Sequence, residues 1–383
     1  MDNSIIHVLH LFAANDSQAP AAQRVVGESS PYRFDHDADA EFRISVAVVR
    51  SGRVRSSAVV SDSSARQIDL HEVTRRSRFD PTLLWRVGRL LRRLKPDIVH
   101  AHDAQSHLLA LLLQPLCGFR MVATARHGHA GDWRERFSAS VDQKLLPGFH
   151  RVIAANNQLA RQLYQLGCRP TQVDVIGVSI DTQRFSRDAV RRQLRDELAL
   201  SAQAKVVGTS GHLCRGAELD LVLRAVRGAQ AAIGPIHLIV FGQYTPRDKI
   251  RNRAAKYGLA ARTHLIGAQG DLPDVYAALN VFVVAGQSGE VATALLEAQS
   301  MEVPVVCTRF EGVEDLVAHG TTGFITDQDD AEALASSITR LLSNPREAQA
   351  LAATGRLRIT QRFHSADRSE ALAATYRRAM NQS

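Results

Sequence analysis

Short apolar runs alternate with segments of helical period along most of the chain. Residues 5–12 (IIHVLHLF), 42–49, 97–100, 120–124 and 151–155 read as strands, the shorter ones apolar enough to be buried on both faces. Between them, 106–113 and 157–167 carry helical spacing. From Pro81 to Lys95, Leu83, Leu84, Val87, Leu90, Leu91 and Leu94 share the inward side of an amphipathic helix with proline in its first turn. The alternation resumes further on with IHLIVFGQY, with THLIG and the DLP helix start, and with VFVVAG at 281–286. A helix over 293–300, a strand over 303–307 and an amphipathic, Arg-rich helix over 365–380 follow. Strands that alternate with helices predict parallel, doubly wound sheets, and no repeat of about 20 to 50 residues competes with that reading.

The stretch 281–326 organises the second half. Its strand, helix, strand unit opens a loop onto the helix N-terminus, whose free N–H groups and dipole favour an anion such as a sugar-nucleotide diphosphate. Gly286 and Gly289 suit a loop that must approach a ligand closely.

Length adds a domain estimate: 383 residues fit two larger α/β domains or two to three of about 150 residues. Hydrophobic residues at 45% and charged residues at 22% exclude wholesale disorder. The net charge of +8 suits phosphates, anionic lipid or nucleic acid. Arg75, Arg76, Arg78, Arg86, Arg89, Arg92, Arg93 and Lys95 gather in and before the helix at 81–95, which reads either as a solvated face or as a contact with an anionic membrane surface. Nucleic acid is not expected, since aromatics are few and no recognised module surrounds the cluster. Cys117, Cys168, Cys214 and Cys307 form no C-x-x-C pair and read as reduced core residues, without a metal site. No signal peptide is expected, and the apolar region 108–119, interrupted by Gln114 and Pro115, is short of the roughly 20 residues of a membrane span. A soluble or peripheral protein is expected.

Several motifs then resemble the retaining GT-B glycosyltransferases of family 4. In LLEAQSMEVPVV, Glu297 matches the helix glutamate that holds the nucleotide ribose; eight positions earlier, where the family has a second glutamate, stands Gly289, and the nearest acid is Glu290. The dipeptide His127–Gly128 matches the family's HG, which implies that His127 lies close to the donor sugar with Gly128 beside it in the cleft. The family's G-R-L-x-x-x-K-G matches at Gly211 and Leu213, with His212, Ala217 and Glu218 in place of Arg, Lys and Gly; Arg215 in the same loop is a substitute cation for the donor diphosphate, with His212 helping if protonated. Leu265, Ile266, Gly267 and Leu272 correspond to positions bordering the base, and Thr293 lies on the donor-side helix. Gly312, Gly320 and Gly323 fit a G-G-x-x-E and G-x-x-G pattern with Asp315 replacing glutamate. Residues 173–185 keep Asp181 and Phe185 of the hinge sequence, with Val178 and Ser179 where Asn and Gly are usual. The connection after the first strand lacks the family's Gly-Gly turn and leaves room for a short helix around 21–27, with Asp35 and Asp39 read as solvated charge.

The resemblance implies an α/β GT-B fold: two Rossmann-like doubly wound domains facing a central cleft. The expected boundaries are 1–185 for an acceptor-side domain and 186–364 for a donor domain, with 365–383 crossing back to the first. A charged helix over 187–198 is the expected connector. The activity implied is transfer of a sugar from a nucleotide donor to a cell-envelope glycan or lipid-linked acceptor, without metal, in the cytoplasm and peripheral to the membrane. His127 and Glu290 would serve the reaction centre. The altered donor positions leave two alternatives, a weak or inactive homologue that binds a partner or glycan, and a sugar-nucleotide epimerase.

Overall fold

The computed structural model describes residues 5–14, 41–51, 69–76, 80–125, 142–211, 216–242, 247–267, 271–286, 289–363 and 365–381. The chain forms two compact units, Met1–Gly177 with Ser365–Ser383, and Val178–His364.

In the first unit, β1 (Ile6–Ala14), β2 (Phe42–Ser51), β3 (Asp69–Arg75), β4 (Ile98–Ala101), β5 (Arg120–Thr124), β6 (Arg151–Ala154) and β7 (Val173–Val175) form one sheet in the order β3-β2-β1-β4-β5-β6-β7. Every pairing is parallel. The apolar runs follow from this, because strands covered on both sides present alternate residues to two cores. Leu9, Leu11, Val99 and Ala101 pack on one side with the helices Thr82–Leu94, Ala104–Cys117 and Asn157–Gln165. Val8, Ile98, Val122 and Ile153 pack on the other against Leu372, Ala373, Tyr376 and Ala379 of the helix Ser365–Met380. Polar ties hold that last helix: Arg377 grips Glu41 through two 2.6 Å hydrogen bonds and keeps its carboxyl below the usual range, and Arg378 and Thr375 both donate to Asp174.

Two features depart from the sequence reading. The edge strand β3, DLHEVTR, carries no apolar run, and only Val73 of it is buried, so hydrophobic pattern does not mark it. The helix Ala104–Cys117 runs through Gln114 and Pro115. The proline lies in the last turn, where it forgoes one hydrogen bond to the carbonyl four residues earlier shortly before the helix ends, and Gly118 closes the helix in the left-handed conformation with its N–H on Gln114 O. Of the cysteines, Cys168 and Cys307 are buried, Cys117 is partly exposed, and Cys214 lies outside the described residues.

The second unit contains β8 (Lys205–Ser210), β9 (Ile236–Phe241), β10 (Thr263–Ile266), β11 (Val281–Val284), β12 (Val305–Thr308) and β13 (Gly323–Thr326), in the order β10-β9-β8-β11-β12-β13. These pairings too are parallel. Both sheets therefore have the doubly wound order in which the chain reverses direction across the sheet beside its first strand. Ile180 and Phe185 belong to this second core, and the Ile180 N–H bonds Phe363 O at 2.9 Å, so the units divide at Gly177 rather than at 185.

The charged helix expected over 187–198 does not form. A 3-10 turn at Arg187–Ala189 and a single helical turn at Leu194–Glu197 stand in its place. The reason is a competing acceptor: Asp274 Oδ1 takes the backbone N–H groups of Arg191 and Arg192 at 2.8 and 3.1 Å, which removes them from any helical ladder.

Candidate functional site

In open α/β sheets, ligands sit outside the carboxyl ends of the strands where the strand order reverses. In the second unit that point lies between β8 and β11. Gly211 follows β8, buried, its N–H on Phe241 O at 2.8 Å. After β11, Gly286 adopts φ 144°, outside the range that L side chains favour, and donates to Thr308 Oγ1 at 3.2 Å. The helix Gly289–Ser300 begins just beyond. Its first-turn N–H groups have no intrahelical partners, which makes this end attractive to an anion.

That helix starts four residues earlier than the apolar spacing at 293–300 suggests, so Gly289 and Glu290 occupy its first turn and not the preceding loop. One and two turns further along it lie Thr293, buried, and Glu297, partly buried. Glu297 is held from below. Tyr276, fully buried on the helix Leu272–Ala277, donates its hydroxyl to Glu297 Oε2 at 2.9 Å. The Tyr276 ring is fixed in turn by edge contacts with Phe185, Phe241 and Phe282. The carboxylate thus has one oxygen anchored by a side chain that cannot move without disturbing the core.

Leu265 on β10, Gly267 just after it and Leu272 at the next helix start are partly exposed at the same edge of the sheet. A Cβ on Gly267 would come within 3.9 Å of the Arg247 guanidinium, which places a cation from the start of the helix Arg247–Lys256 beside these apolar positions. Sequence matching did not single out Arg247. Ala217 is the first residue of the helix Ala217–Ile233. His212 and Arg215 lie outside the described residues, as do His127 and Gly128. The three matched glycines have separate local reasons. Gly312 and Gly320 have φ of 85° and 72°, and Gly323 faces Val305 so closely that a Cβ would lie 2.6 Å from its carbonyl oxygen.

The first unit carries a polar cluster that the sequence reading passed over. His10 on β1 is the register partner of His100 on β4, and Phe12 and His102 follow two residues on, so all four side chains fall on one face. His10 Nδ1 bonds His102 Nε2 at 2.9 Å, His100 Nδ1 bonds the Tyr376 hydroxyl at 2.9 Å, and His100 Nε2 bonds Thr124 Oγ1 at 2.8 Å. Phe12 stacks on His102 with ring centroids 4.3 Å apart. Burial drives all three imidazoles towards the neutral form, His10 down to about 3, and the positive charge of Arg368 adds to the effect. One nitrogen from each histidine lies within 4.8 Å of the others, close enough to consider a borderline cation. His100, however, commits both nitrogens to Thr124 and Tyr376, and the nearby charge is cationic, so the cluster is built as a hydrogen-bonded network. At the end of β1, Asp103 joins the two central strands: its Oδ2 accepts the Ala13 N–H at 2.7 Å while Oδ1 caps the helix Ala104–Cys117 through Ser106. The spacing Asp103–Ser106 was the signal available in the sequence for this cap.

Residues 190–358 match the family model for glycosyl transferases group 1, and residues 37–184 match that for glycosyltransferase family 4. The chain is 26% identical over 292 residues to the GDP-mannose-dependent alpha-(1-6)-phosphatidylinositol monomannoside mannosyltransferase of Mycolicibacterium smegmatis, covering 72% of this chain and 75% of that protein. It is 27% identical over 292 residues to the lipopolysaccharide core biosynthesis mannosyltransferase LpsB of Rhizobium meliloti, covering 73% of this chain and 79% of that protein. Among solved structures, Anabaena Alr3699/HepE in complex with UDP and glucose aligns with a TM-score of 0.79 over 97% of this chain and 99% of its own, at 19% identity, a likeness of fold.

Proposed function

The chain belongs to the GT-B glycosyltransferases of family 4, and on that premise we propose that it moves a hexose from a nucleotide-sugar donor to a cell-envelope glycan or lipid-linked acceptor with retention of anomeric configuration. The observation that carries the donor assignment is the Glu297 carboxylate, anchored by Tyr276 on the helix that follows β11. A carboxylate held in one orientation accepts hydrogen bonds from the two ribose hydroxyls without first losing side-chain freedom. Leu265, Gly267 and Leu272 would border the base, and Thr293, Gly211 and Gly289 would line the path from ribose to phosphates.

Departure of the leaving group puts negative charge on the nucleotide diphosphate, and preorganised donors and cations there lower the barrier. The free N–H groups at the start of the helix Gly289–Ser300 supply donors, and Arg247 a cation from the neighbouring edge. By resemblance, Arg215 and His212 would add charge at the diphosphate, Glu290 would approach the sugar, and His127 with Gly128 would lie at the reaction centre. The expected course is a front-side displacement through an oxocarbenium-like transition state, the leaving phosphate taking the acceptor proton, with no metal. A cytoplasmic location at the inner face of the membrane suits relatives named for phosphatidylinositol mannoside and lipopolysaccharide core synthesis.

Calorimetric titration with UDP, GDP and ADP tests the donor site. Micromolar binding of one nucleotide, lost in Glu297→Ala, is expected. Failure of all three to bind would remove the assignment. The anomeric configuration of the transfer product, read by NMR, tests retention, and isomerisation of the donor sugar would point to epimerase chemistry instead.

A further inference from the structure

The first sheet has its own point of reversal. In the order β3-β2-β1-β4-β5-β6-β7 the strand order reverses between β1 and β4, so the space outside the carboxyl ends of these two strands is where a doubly wound sheet takes a ligand. His10 and His100 lie inside the strands at 3% and 2% exposure, while His102 follows the last residue of β4 and is partly exposed. The donor chemistry gives none of the three a task. The histidine cluster thus runs from the core of the first unit to the carboxyl edge of its sheet, and Phe12, stacked on His102 with ring planes 2° apart, holds the outermost imidazole in one plane.

The protons of this network follow from its distances. A neutral imidazole has one N–H donor and one lone pair, and a phenol has one proton to give. The Tyr376 hydroxyl faces His100 Nδ1 at 2.9 Å and His10 Nε2 at 3.4 Å. Its proton goes to the nearer nitrogen, since the longer contact is at the limit of a hydrogen bond. His100 Nδ1 then accepts, so His100 Nε2 carries the hydrogen donated to Thr124 Oγ1 at 2.8 Å. The phenol oxygen is left to accept from His10 Nε2–H, which makes His10 Nδ1 a lone pair, and that lone pair accepts from His102 Nε2–H at 2.9 Å. One choice at Tyr376 fixes all three tautomers, and the chain ends on His102 Nδ1 as a lone pair. Among the described residues no hydrogen bond reaches that atom. The opposite polarity would send the phenol proton along the 3.4 Å contact and turn His102 Nδ1 into a donor.

We propose that Tyr376 is a positioning residue that acts through His10 to hold His102 in its Nε2–H tautomer, and that His102 Nδ1 accepts a hydrogen bond from a hydroxyl of the sugar acceptor at the carboxyl edge of the first sheet. The chemical class follows from the network: an imidazole lone pair takes an O–H donor and has nothing to offer the lone pairs of an anion, so the group bound is an alcohol of a polyol and not a phosphate. His102 orients the acceptor and removes no proton from it, the leaving phosphate having that role. The pre-set tautomer matters because a chain pointing the wrong way in half the molecules would halve the apparent affinity. The identity of the ligand rests on the glycosyltransferase reading, whereas the order of tautomers rests on the geometry of the first unit alone.

The test is NMR of the full chain carrying nitrogen-15 in its histidines, in which each ring nitrogen reports whether it bears hydrogen. At neutral pH, Nε2–H tautomers are expected for His10, His100 and His102, and a hydrogen on His102 Nδ1 would overturn the proposal. Tyr376→Phe keeps the ring and removes the phenol proton, and should leave His10 and His102 as a mixture of two arrangements; an unchanged His102 in that variant would overturn the relay. Amide spectra report that the variant is folded, and the wild-type tautomers decide the first point whether it folds or not. Methyl α-mannoside, methyl α-galactoside, methyl α-glucoside and myo-inositol, added in turn, probe the hydroxyl site. At least one should shift the His102 Nδ1 signal, with about twofold weaker affinity in Tyr376→Phe; no shift with any of them would overturn the hydroxyl assignment. Binding of UDP, GDP or ADP to the same samples separates the two readings. Nucleotide binding with a silent His102 defeats this proposal alone, whereas loss of all nucleotide binding defeats the donor assignment.

Discussion

The Tyr276 hydroxyl and the Glu297 carboxylate, 2.9 Å apart, link the helix Leu272–Ala277 to the helix Gly289–Ser300. A buried phenol thereby sets the direction in which the carboxylate faces. Tyr276→Phe keeps the ring packing and removes the hydrogen bond, so nucleotide affinity should fall about tenfold, equivalent to roughly 1.4 kcal/mol. Glu297→Ala should cost more, because every ribose hydrogen bond is lost. Calorimetry on both variants checks the order; equal affinity for Tyr276→Phe and wild type would show that the phenol does not orient the acid.

Arg247 stands beside Gly267 at the exposed edge of the second sheet. Arg247→Ala should weaken binding of a nucleoside diphosphate by about threefold to tenfold and leave a nucleoside unaffected, as expected for a partly screened cation acting on phosphate. Paired titrations with the nucleoside and its diphosphate read the difference directly.

The neutral histidines His10, His100 and His102 make stability depend on pH with a defined sign. Their folded-state pKa values lie below the ordinary histidine value, His10 at about 3, so between that value and about 6.5 the unfolded chain binds protons that the folded chain does not. Stability is therefore full above about pH 6.5 and falls as pH drops, by up to about 1.4 kcal/mol per pH unit for each histidine. Urea unfolding at pH 7.5, 6.5 and 5.5 should show a plateau followed by a decline. His10→Gln should reduce the slope of that decline, and an unchanged slope would mean that His10 is not held neutral.

Gly323 begins β13 where a Cβ would lie 2.5 Å from Val305 Cγ2 and 2.6 Å from Val305 O. Gly323→Ala should destabilise the chain by roughly 1 to 3 kcal/mol through overpacking against backbone that cannot yield. Denaturant unfolding measures this, and a neutral result would mean that β12 and β13 separate freely.

Exhaustive chelation followed by assay of sugar transfer addresses the expected metal independence. Turnover should be unchanged, since cations and helix N–H groups are assigned the charge that a metal would otherwise neutralise. A loss restored by a divalent ion would overturn that assignment and direct attention to the His10, His100 and His102 cluster.

Much of the architecture was legible in the chain because parallel sheets bury both faces of their strands and leave uninterrupted apolar runs. The runs at 120–124 and 281–284 mark β5 and β11 for this reason. Where burial is partial the signal fades, as in β3, and where a side chain outbids the backbone it misleads, as when Asp274 takes the N–H groups of Arg191 and Arg192. Glu297 could be found because its neighbours in LLEAQSMEVPVV form a local pattern. Its partner Tyr276 could not, since the hydrogen bond joins two helices across 21 positions of sequence.

The order of local periodicities thus determined by itself that parallel, doubly wound sheets form and that an anion-favouring helix start follows β11, while the division into two such domains rested on the family resemblance. Tertiary structure alone decided which polar groups meet. His10 and His100 face one another only through the register of β1 against β4, and Tyr376 reaches His100 across 276 positions. It also decided that Arg75 and Arg86 of the clustered basic residues pair internally while Arg89, Arg92 and Arg93 are exposed; Arg78 lies outside the described residues. Periodicity is encoded over one or two turns, whereas partner choice and exposure depend on contacts that exist only once distant segments have packed.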